Sequence, residues 1–466
     1  MSDRPNIIFV MTDDHAAHAM SCYDSRVNHT PNLDRVANDG MRLDNCFCTN
    51  SICTPSRATI LTGKYAHING SVTFNAPDPT HATFPQLLRA AGYYTAMIGK
   101  WHLNTEPTGF DFWSVLPGQG VYFDPAFVEM GRRKIYPGYV TDIITDLVLE
   151  TLENRPKDQP FCVLYHHKAP HDPWLTDEAH AHLFEDEDIP EPPTLFDDYA
   201  TRSEAIKKST QRIGSERPGH TLYGAETGHI TDPDERMRAQ YQIYMKSYLR
   251  CVASVDDNFG RLLDYLDEND LTENTVVIYT SDQGFFLGDH GWYDKRFMYE
   301  ESLRMPFLVR FPGVIESSSV DQHLILNTDF APTLLDYAGV EIPEDMQGRS
   351  FRPLLEGREV PDWREVMYYR YYFSHFSTPA HWGVRTLRYK LIYYHDSDEW
   401  ELYDLDADSL ELNNVYTDPG YQDVVAELKA ELDRLREELG DTESAEEGNE
   451  RTRRLLHRHC HPHHWR

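Results

Sequence analysis

The 466-residue chain reads as an α/β protein: a mostly parallel sheet flanked by helices, followed by a small C-terminal unit of antiparallel sheet plus helix. Three observations carry that reading. Several five- or six-residue apolar runs, Asn6–Met11, Tyr93–Ile98, Phe161–Tyr165 and Thr275–Thr280, are hydrophobic throughout rather than alternating, as expected for strands covered on both faces. Helix signals alternate with them. Beyond Gln347 the pattern changes to short aromatic runs.

The helices have identifiable ends. Thr30-Pro31 opens one and Gly40 closes it, and Thr83 with Gln86 three residues on forms a capping box for another that Gly92 stops. A long helix is predicted from about Asp234 to Glu268, with Tyr241, Tyr244, Tyr248, Val252, Val255, Phe259, Leu262 and Leu266 on one stripe, which is a core face. The runs Val366–Tyr372, His381–Arg385, Tyr389–Tyr394 and Trp400–Leu405 predict an antiparallel sheet, and Gln422–Leu439 a closing helix. The expected division is 1–346 for the main domain and 347–440 for the C-terminal one. From Asp441 to Arg466 the chain is polar, then basic and His-rich, and is expected to be disordered. Residues 176–233, rich in Pro, acids and His, read as an excursion beside the site rather than as core.

Composition narrows the function. A net charge of −32 excludes nucleic acid as a partner and disfavours long polyanions except at a locally basic pocket. No apolar stretch reaches the roughly 18 residues of a membrane span. Strand residues follow almost directly on Met1-Ser-Asp-Arg-Pro5, so the expected location is cytoplasmic in this numbering, or exported if a leader was removed. Seven cysteines at irregular spacing give no disulfide framework.

The apolar runs share one design, in that each ends in residues able to do chemistry: Asp13, Asp14 and His15; Lys100 and His102; His166, His167 and Lys168; Asp282 and Gln283. Ligands of parallel sheets gather at the carboxyl ends of the strands, so these termini point to one site. Asp13, Asp14, Asp282 and Gln283 offer only oxygen donors, which suits Ca²⁺, or Mg²⁺, and not zinc. Ser51–Gly63 adds a further element. Cys53-Thr-Pro-Ser-Arg57 opens a helix, placing a thiol where free N–H groups and the dipole favour negative charge, with Arg57 one turn on. Two readings stand at that point: a low-pKa nucleophile beside an anion site, or a helix cap with a half-buried thiol.

Cys53-Thr-Pro-Ser-Arg57 followed by Leu61-Thr-Gly63 resembles the signature of the formylglycine-dependent sulfatases. Gly92, Tyr93, Thr95, Ile98, Gly99, Lys100 and His102 are similar to that family's second motif. The resemblance extends from about Pro5 to Gly440, and the wording of Asp282–Ser302 looks closest to bacterial glycan sulfatases of the N-acetylglucosamine-6-sulfatase-like or mucin-desulfating kind. It implies an alkaline-phosphatase-like fold and oxidation of Cys53 to Cα-formylglycine by a maturation enzyme. It also implies a divalent metal at Asp13, Asp14, Cys53, Asp282 and Gln283, Gln283 standing where many relatives carry His or Asn. The substrate would be a sulfated sugar or small sulfate ester. By motif match, Arg57, Lys100 and Lys295 would hold charge, His171 would protonate the leaving alcohol, and His102 would take the proton of the second hydroxyl of the hydrated aldehyde. Lys100, His171, His290 and Lys295 would contact substrate. Two alternatives stand beside it: a phosphonate or phosphate diester hydrolase of the same fold, and a non-catalytic sugar-binding relative. Lys390, in the small sheet, is expected to take no part in the chemistry.

Overall fold

The computed structural model describes residues 4–25, 27–214, 226–373 and 377–459. Ten strands form the main sheet: β1 (Asn6–Thr12), β2 (Met41–Leu43), β3 (Tyr94–Lys100), β4 (Phe112–Leu116), β5 (Ala126–Glu129), β6 (Arg132–Ile135), β7 (Phe161–His166), β8 (Thr275–Ser281), β9 (Phe307–Arg310) and β10 (Ser319–Asp321). Their order is β10-β2-β9-β8-β1-β7-β3-β4-β5-β6. The centre, β8-β1-β7-β3-β4, is parallel, and antiparallel strands lie to either side. The four continuous apolar runs are thus the four adjacent central strands, and β1, β7 and β8 are buried along their whole length. Burial on both faces removes the alternation that an exposed face would impose.

Helices cover both faces. On one, α1 (Pro31–Asp39), α4 (Val140–Asn154) and the long α5 (Pro233–Glu268) pack with Ile8, Val10, Val163 and Tyr279 of the sheet. On the other lie α2 (Cys53–Thr62), α3 (Phe84–Ala90) and α6 (Phe330–Tyr337), with Phe9, Met97, Leu164 and Ile278. Asp232 caps α5, accepting from the N–H groups of Asp234 and Glu235, and the tyrosine stripe is core. Helix α2 has all ten residues buried, so it is clamped on every side and not merely along one stripe.

The C-terminal sheet is antiparallel in sequence order, β11 (Val366–Tyr371), β12 (His381–Thr386), β13 (Tyr389–Tyr394) and β14 (Glu399–Asp404), and α7 (Gln422–Glu438) packs on it. It closes directly over the start of α2: the Tyr369 hydroxyl accepts from the Ser51 N–H at 3.1 Å, and the Arg370 N–H donates to Thr49 O at 3.1 Å. Residues 348–363 place Phe351, Leu354, Leu355 and Trp363 in the apolar cluster of the main domain.

Two expectations need correction, and one residue has a role not expected. The tail expected to be disordered is helical from Ala445 to His459. Asp441 anchors it by accepting from the Tyr368 hydroxyl and the Arg370 guanidinium, and Leu455 and Leu456 pack on the aromatic cluster. His461, His463 and His464 lie outside the described residues. The 176–233 excursion is not a loose surface loop, since Ile189, Leu195, Ile206 and Ile213 are buried. Lys390, expected only to take no part in the chemistry, has a structural role. It is fully buried, its ammonium 2.9 Å from Glu300 and 2.6 Å from Glu411, and Arg385 grips Glu300 with two bonds of 2.9 and 3.0 Å. Removing one member of a buried ion network strands the other charges. Lys390→Ala is therefore expected to lower unfolding stability by about 3 kcal/mol or more in denaturant titration. Stability unchanged within error would show that the network contributes nothing.

Candidate active site

Six segments converge at the carboxyl ends of β1, β3, β7 and β8, the one after β7 carrying His171. Asp13 and Asp14 follow β1, and Asp14 takes a left-handed backbone (φ 69°), turning it away from the strand direction. Lys100 ends β3. Just before it, Gly99 has φ 103°, and a Cβ there would lie 1.8 Å from His166 O, so only glycine lets β3 and β7 meet at this depth. Asp282 and Gln283 follow β8. Cys53 is the first residue of α2, as its Thr-Pro context predicts. Lys295 arrives on the loop after the short strand Tyr293–Asp294.

Arg57 fastens these segments together. Its Nε donates to Asp282 Oδ2 (2.9 Å), its Nη1 to Lys100 O (2.7 Å), and its Nη2 lies 3.8 Å from Asp13 Oδ1. The Ser56 hydroxyl donates to Asp282 O, and the Asp14 N–H to Asp282 Oδ1 at 3.3 Å. The Lys100 ammonium donates to Asp13 Oδ2, and the Lys295 ammonium to Asp14 Oδ1, where the Gln283 amide also donates. His171 Nε2 is 3.7 Å from Asp14 Oδ2, and its Nδ1 lies 2.7 Å from Asp172 Oδ1, so Asp172 orients the ring. His102 joins through its backbone, accepting from the Thr54 hydroxyl at 2.9 Å, while its buried Nδ1 has no hydrogen-bond partner.

Burial dominates the electrostatics. Asp14 is pushed up to about 7 by desolvation, against the pull of Lys295, with Asp282 and Asp294 adding to the rise. The Cys53 thiol is likewise pushed up to about 11, desolvation outweighing Lys295. This corrects the low-pKa reading: the helix N-terminus does not offset the loss of water around a residue 2% exposed. The half-buried cap understates that burial. His171 is pulled down to about 3 and His102 well below the histidine range, both chiefly by burial, then by the Lys100 ammonium. Burial, then Lys168, depresses Lys100, so an anion placed beside it would favour its charged form.

The residues present fit a hard cation. Three carboxylates lie together without exposure to water. Asp13 Oδ1 and Gln283 Oε1 are buried and accept no hydrogen bond, and Asp13, Asp14 and His171 offer ligand atoms within 4.8 Å of one another. That grouping adds an imidazole to the oxygen set expected from the sequence.

His290 stands apart. Fully buried with φ 54°, it bonds Asp197 Oδ2 through Nδ1 (2.9 Å), with Nε2 3.9 Å from Glu301. It belongs to a polar network with Arg202 and Tyr299 rather than to the carboxylate cluster. Sequence reasoning missed Gln119 and Gln211, and named Lys168 only as a strand-end residue. Gln119 accepts from Lys100, and nothing in Pro117-Gly-Gln-Gly120 announces it. Lys168, pulled down to about 8 by burial, sits over the Tyr122 ring and donates to Asp172 O at 3.0 Å. Gln211 donates through its amide to Tyr293 O (2.9 Å) and Lys295 O (2.6 Å) and accepts from the Thr378 hydroxyl (2.8 Å), so it holds the Lys295 loop against both the excursion and the C-terminal unit.

Residues 5–340 match the sulfatase family model, and residues 288–438 match that of the C-terminal region of N-sulphoglucosamine sulphohydrolase. The chain belongs to the sulfatase family and is a sulfuric ester hydrolase. It is 45% identical to an N-acetylglucosamine-6-O-sulfatase of Bacteroides thetaiotaomicron, over 95% of this chain and 88% of that protein. A solved structure of a protein in complex with its substrate D-glucosamine-2-N,6-O-disulfate superposes with TM-score 0.89 at 43% identity, covering 95% of this chain and 99% of that one. A phosphonate monoester hydrolase of Agrobacterium radiobacter shares the fold at TM-score 0.76 and 21% identity, covering 94% and 96%.

The raised Asp14 carboxyl sets a pH dependence. Its folded value, about 7, lies above the unfolded carboxylate value, so the metal-free fold is favoured while Asp14 is protonated and loses that contribution as pH rises from about 4 to 7. A cation that needs the ionised form releases the proton. The increase in Tm on adding Ca²⁺ should therefore be small at pH 5 and grow towards pH 8. An increase independent of pH in thermal melts would show that Asp14 does not ligate the cation.

Proposed function

We propose that this sulfatase hydrolyses the 6-O-sulfate of an N-acetylglucosamine or glucosamine unit, using Cα-formylglycine made from Cys53 and Ca²⁺, or Mg²⁺, held by Asp13, Asp14, Asp282 and Gln283. The observation that carries the chemistry is the convergence of Cys53, at the buried start of α2, with those oxygen donors, two lysines and two histidines. The sugar is supported by the 45% identical N-acetylglucosamine-6-O-sulfatase and by the bound glucosamine disulfate of the 43% identical structure. For the phosphonate or phosphate diester hydrolase alternative, the comparisons add only a fold likeness to a phosphonate monoester hydrolase at 21% identity. A non-catalytic role is disfavoured because Cys53, Arg57, Lys100, His102, His171 and Lys295 are all present and gathered.

When bound, the cation supplies a Lewis acid that polarises the sulfuryl oxygens, and the hydrated aldehyde supplies a nucleophile that can later expel sulfate. The chain's own residues do the rest. Lys100 and Lys295 neutralise charge on the sulfuryl oxygens. Arg57 holds Asp282 and the end of β3 in place. His171, oriented by Asp172 through Nδ1, is neutral at rest; a bound sulfate anion raises its proton affinity, so that Nε2 takes up a proton from solvent, which it then gives to the departing sugar oxygen. His102, also neutral, accepts a proton at its ring.

Peptide mass spectrometry of active protein should show position 53 as the aldehyde or its hydrate, with activity proportional to the converted fraction. Fully active protein carrying only cysteine would end this reading. A chelator should abolish turnover and Ca²⁺ restore it. In the metal-loaded enzyme, Lys100→Ala or Lys295→Ala should lower kcat/KM for a 6-sulfated glucosamine about a hundredfold, about 3 kcal/mol. Both lysines are buried against carboxylates, so their loss should also cost stability, and denaturant titration must accompany the kinetics. Near-full turnover by both variants would place the sulfate elsewhere.

A further inference from the structure

Where the β2 edge of the main sheet meets the C-terminal unit, a cleft of about 430 Å³ opens, a volume in the range of small-molecule sites. Its lining includes Tyr23 and Asp24, Arg42 of β2 with Asp44, Arg304 just after the short helix Glu300–Leu303, and Leu387 on the turn between β12 and β13. It shares no residue with the reaction site. Two of its charges answer each other. Arg42 Nε donates to Asp44 Oδ1 at 2.7 Å, and the guanidinium lies over the Tyr23 ring, 5.2 Å from its centroid. The Tyr23 hydroxyl accepts from the Phe307 N–H and donates to Leu43 O, both at 2.9 Å, so this side of the cleft is held firmly. The other two charges are not matched. Arg304 Nη2 is 3.2 Å from Glu300, but Glu300 also pairs with Arg385 and Lys390, and Glu411 is the one further carboxylate in these ion pairs. Two carboxylates thus serve three cations. Asp24 is exposed on a left-handed backbone (φ 58°), and among the described residues no ion pair engages it.

We propose that this cleft binds a small zwitterion, an α-amino acid with an aliphatic side chain. The carboxylate meets the Arg304 guanidinium, the ammonium meets Asp24, and the side chain lies against Leu387 and the Tyr23 ring. Two guanidiniums and two carboxylates leave the lining without net charge. A simple anion would enter beside two acids and against the field of a chain of net charge −32, and a simple cation would leave Arg304 unanswered. A ligand carrying both charges avoids both costs, and a guanidinium receives a carboxylate through two parallel N–H bonds. Leu387, 55% exposed, gains burial from an aliphatic side chain. The site is independent of the sulfatase chemistry.

Isothermal titration calorimetry of the whole chain with L-leucine, N-acetyl-L-leucine and L-leucinamide tests the site. Leucine should bind, and each analogue, lacking one of its charges, should bind about tenfold more weakly. Added NaCl should weaken the binding of leucine. Asp24→Asn, a residue that also accepts a left-handed backbone, should bring leucine down to the affinity of N-acetyl-L-leucine and leave that of the acetylated analogue unchanged. Leu387→Trp, at an exposed turn, should fill the cleft and weaken leucine binding. Arg304 also serves Glu300, so the carboxylate contact is read from leucinamide rather than from a variant whose folding would be in question. Absence of leucine binding at about 10 mM, equal affinity for the three probes, or leucine binding untouched by Asp24→Asn overturns the proposal.

Discussion

The Arg57–Asp282 pair is the interaction on which the rest of the site depends. Asp13, Asp14 and Asp282 are held at or below 2% exposure, and burying three carboxylates together is feasible only where cations oppose them. Arg57 does so with geometry that a lysine could not supply. One nitrogen holds Asp282, a second holds the backbone of Lys100, and the third faces Asp13. Because Arg57 sits one turn into α2, the same bonds fix the helix start and with it Cys53. The positions of Cys53 and of its charged surroundings are thus one structural decision.

The remaining charge is balanced locally. Lys100 answers Asp13 and Lys295 answers Asp14, which leaves Asp13 Oδ1 and Gln283 Oε1 without donors. A polar cluster satisfied in part is costly in a protein interior. Both atoms are oxygen acceptors beside three carboxylates, a donor set that fits a hard cation.

Much of this was legible in the sequence because strand burial and strand-end chemistry leave local marks. Uninterrupted apolar runs identified the four central strands, and the polar residues that follow them are the ones the fold gathers. What was not legible depends on contacts between separate segments. Gln211 and Gln119 have no flanking pattern that distinguishes them from loop glutamines. Gln211 serves a loop 84 residues further along the chain, and Gln119 a strand end 19 residues back. His290 illustrates the converse: its neighbours in sequence border the site, but its positive φ turns it into a different buried network. Lys390 lies in a strand that reads as peripheral, and only the docking of the two units reveals the carboxylates it serves. The 45% identical relative agrees with the family read from the two motifs, while the pKa of Cys53 had to come from its surroundings.

The strand that closes over the start of α2 is made late. Tyr369, which accepts from the Ser51 N–H, lies 318 residues after it, and Arg370, which donates to Thr49 O, follows directly. At a synthesis rate of about 5–20 residues per second, that separation leaves an interval of tens of seconds in which Ser51–Arg57 exists without its cover. If Cys53 is oxidised as proposed, the enzyme that grips this segment works against that clock. Conditions that speed closure of the C-terminal unit would shorten the time in which Ser51–Arg57 stays uncovered.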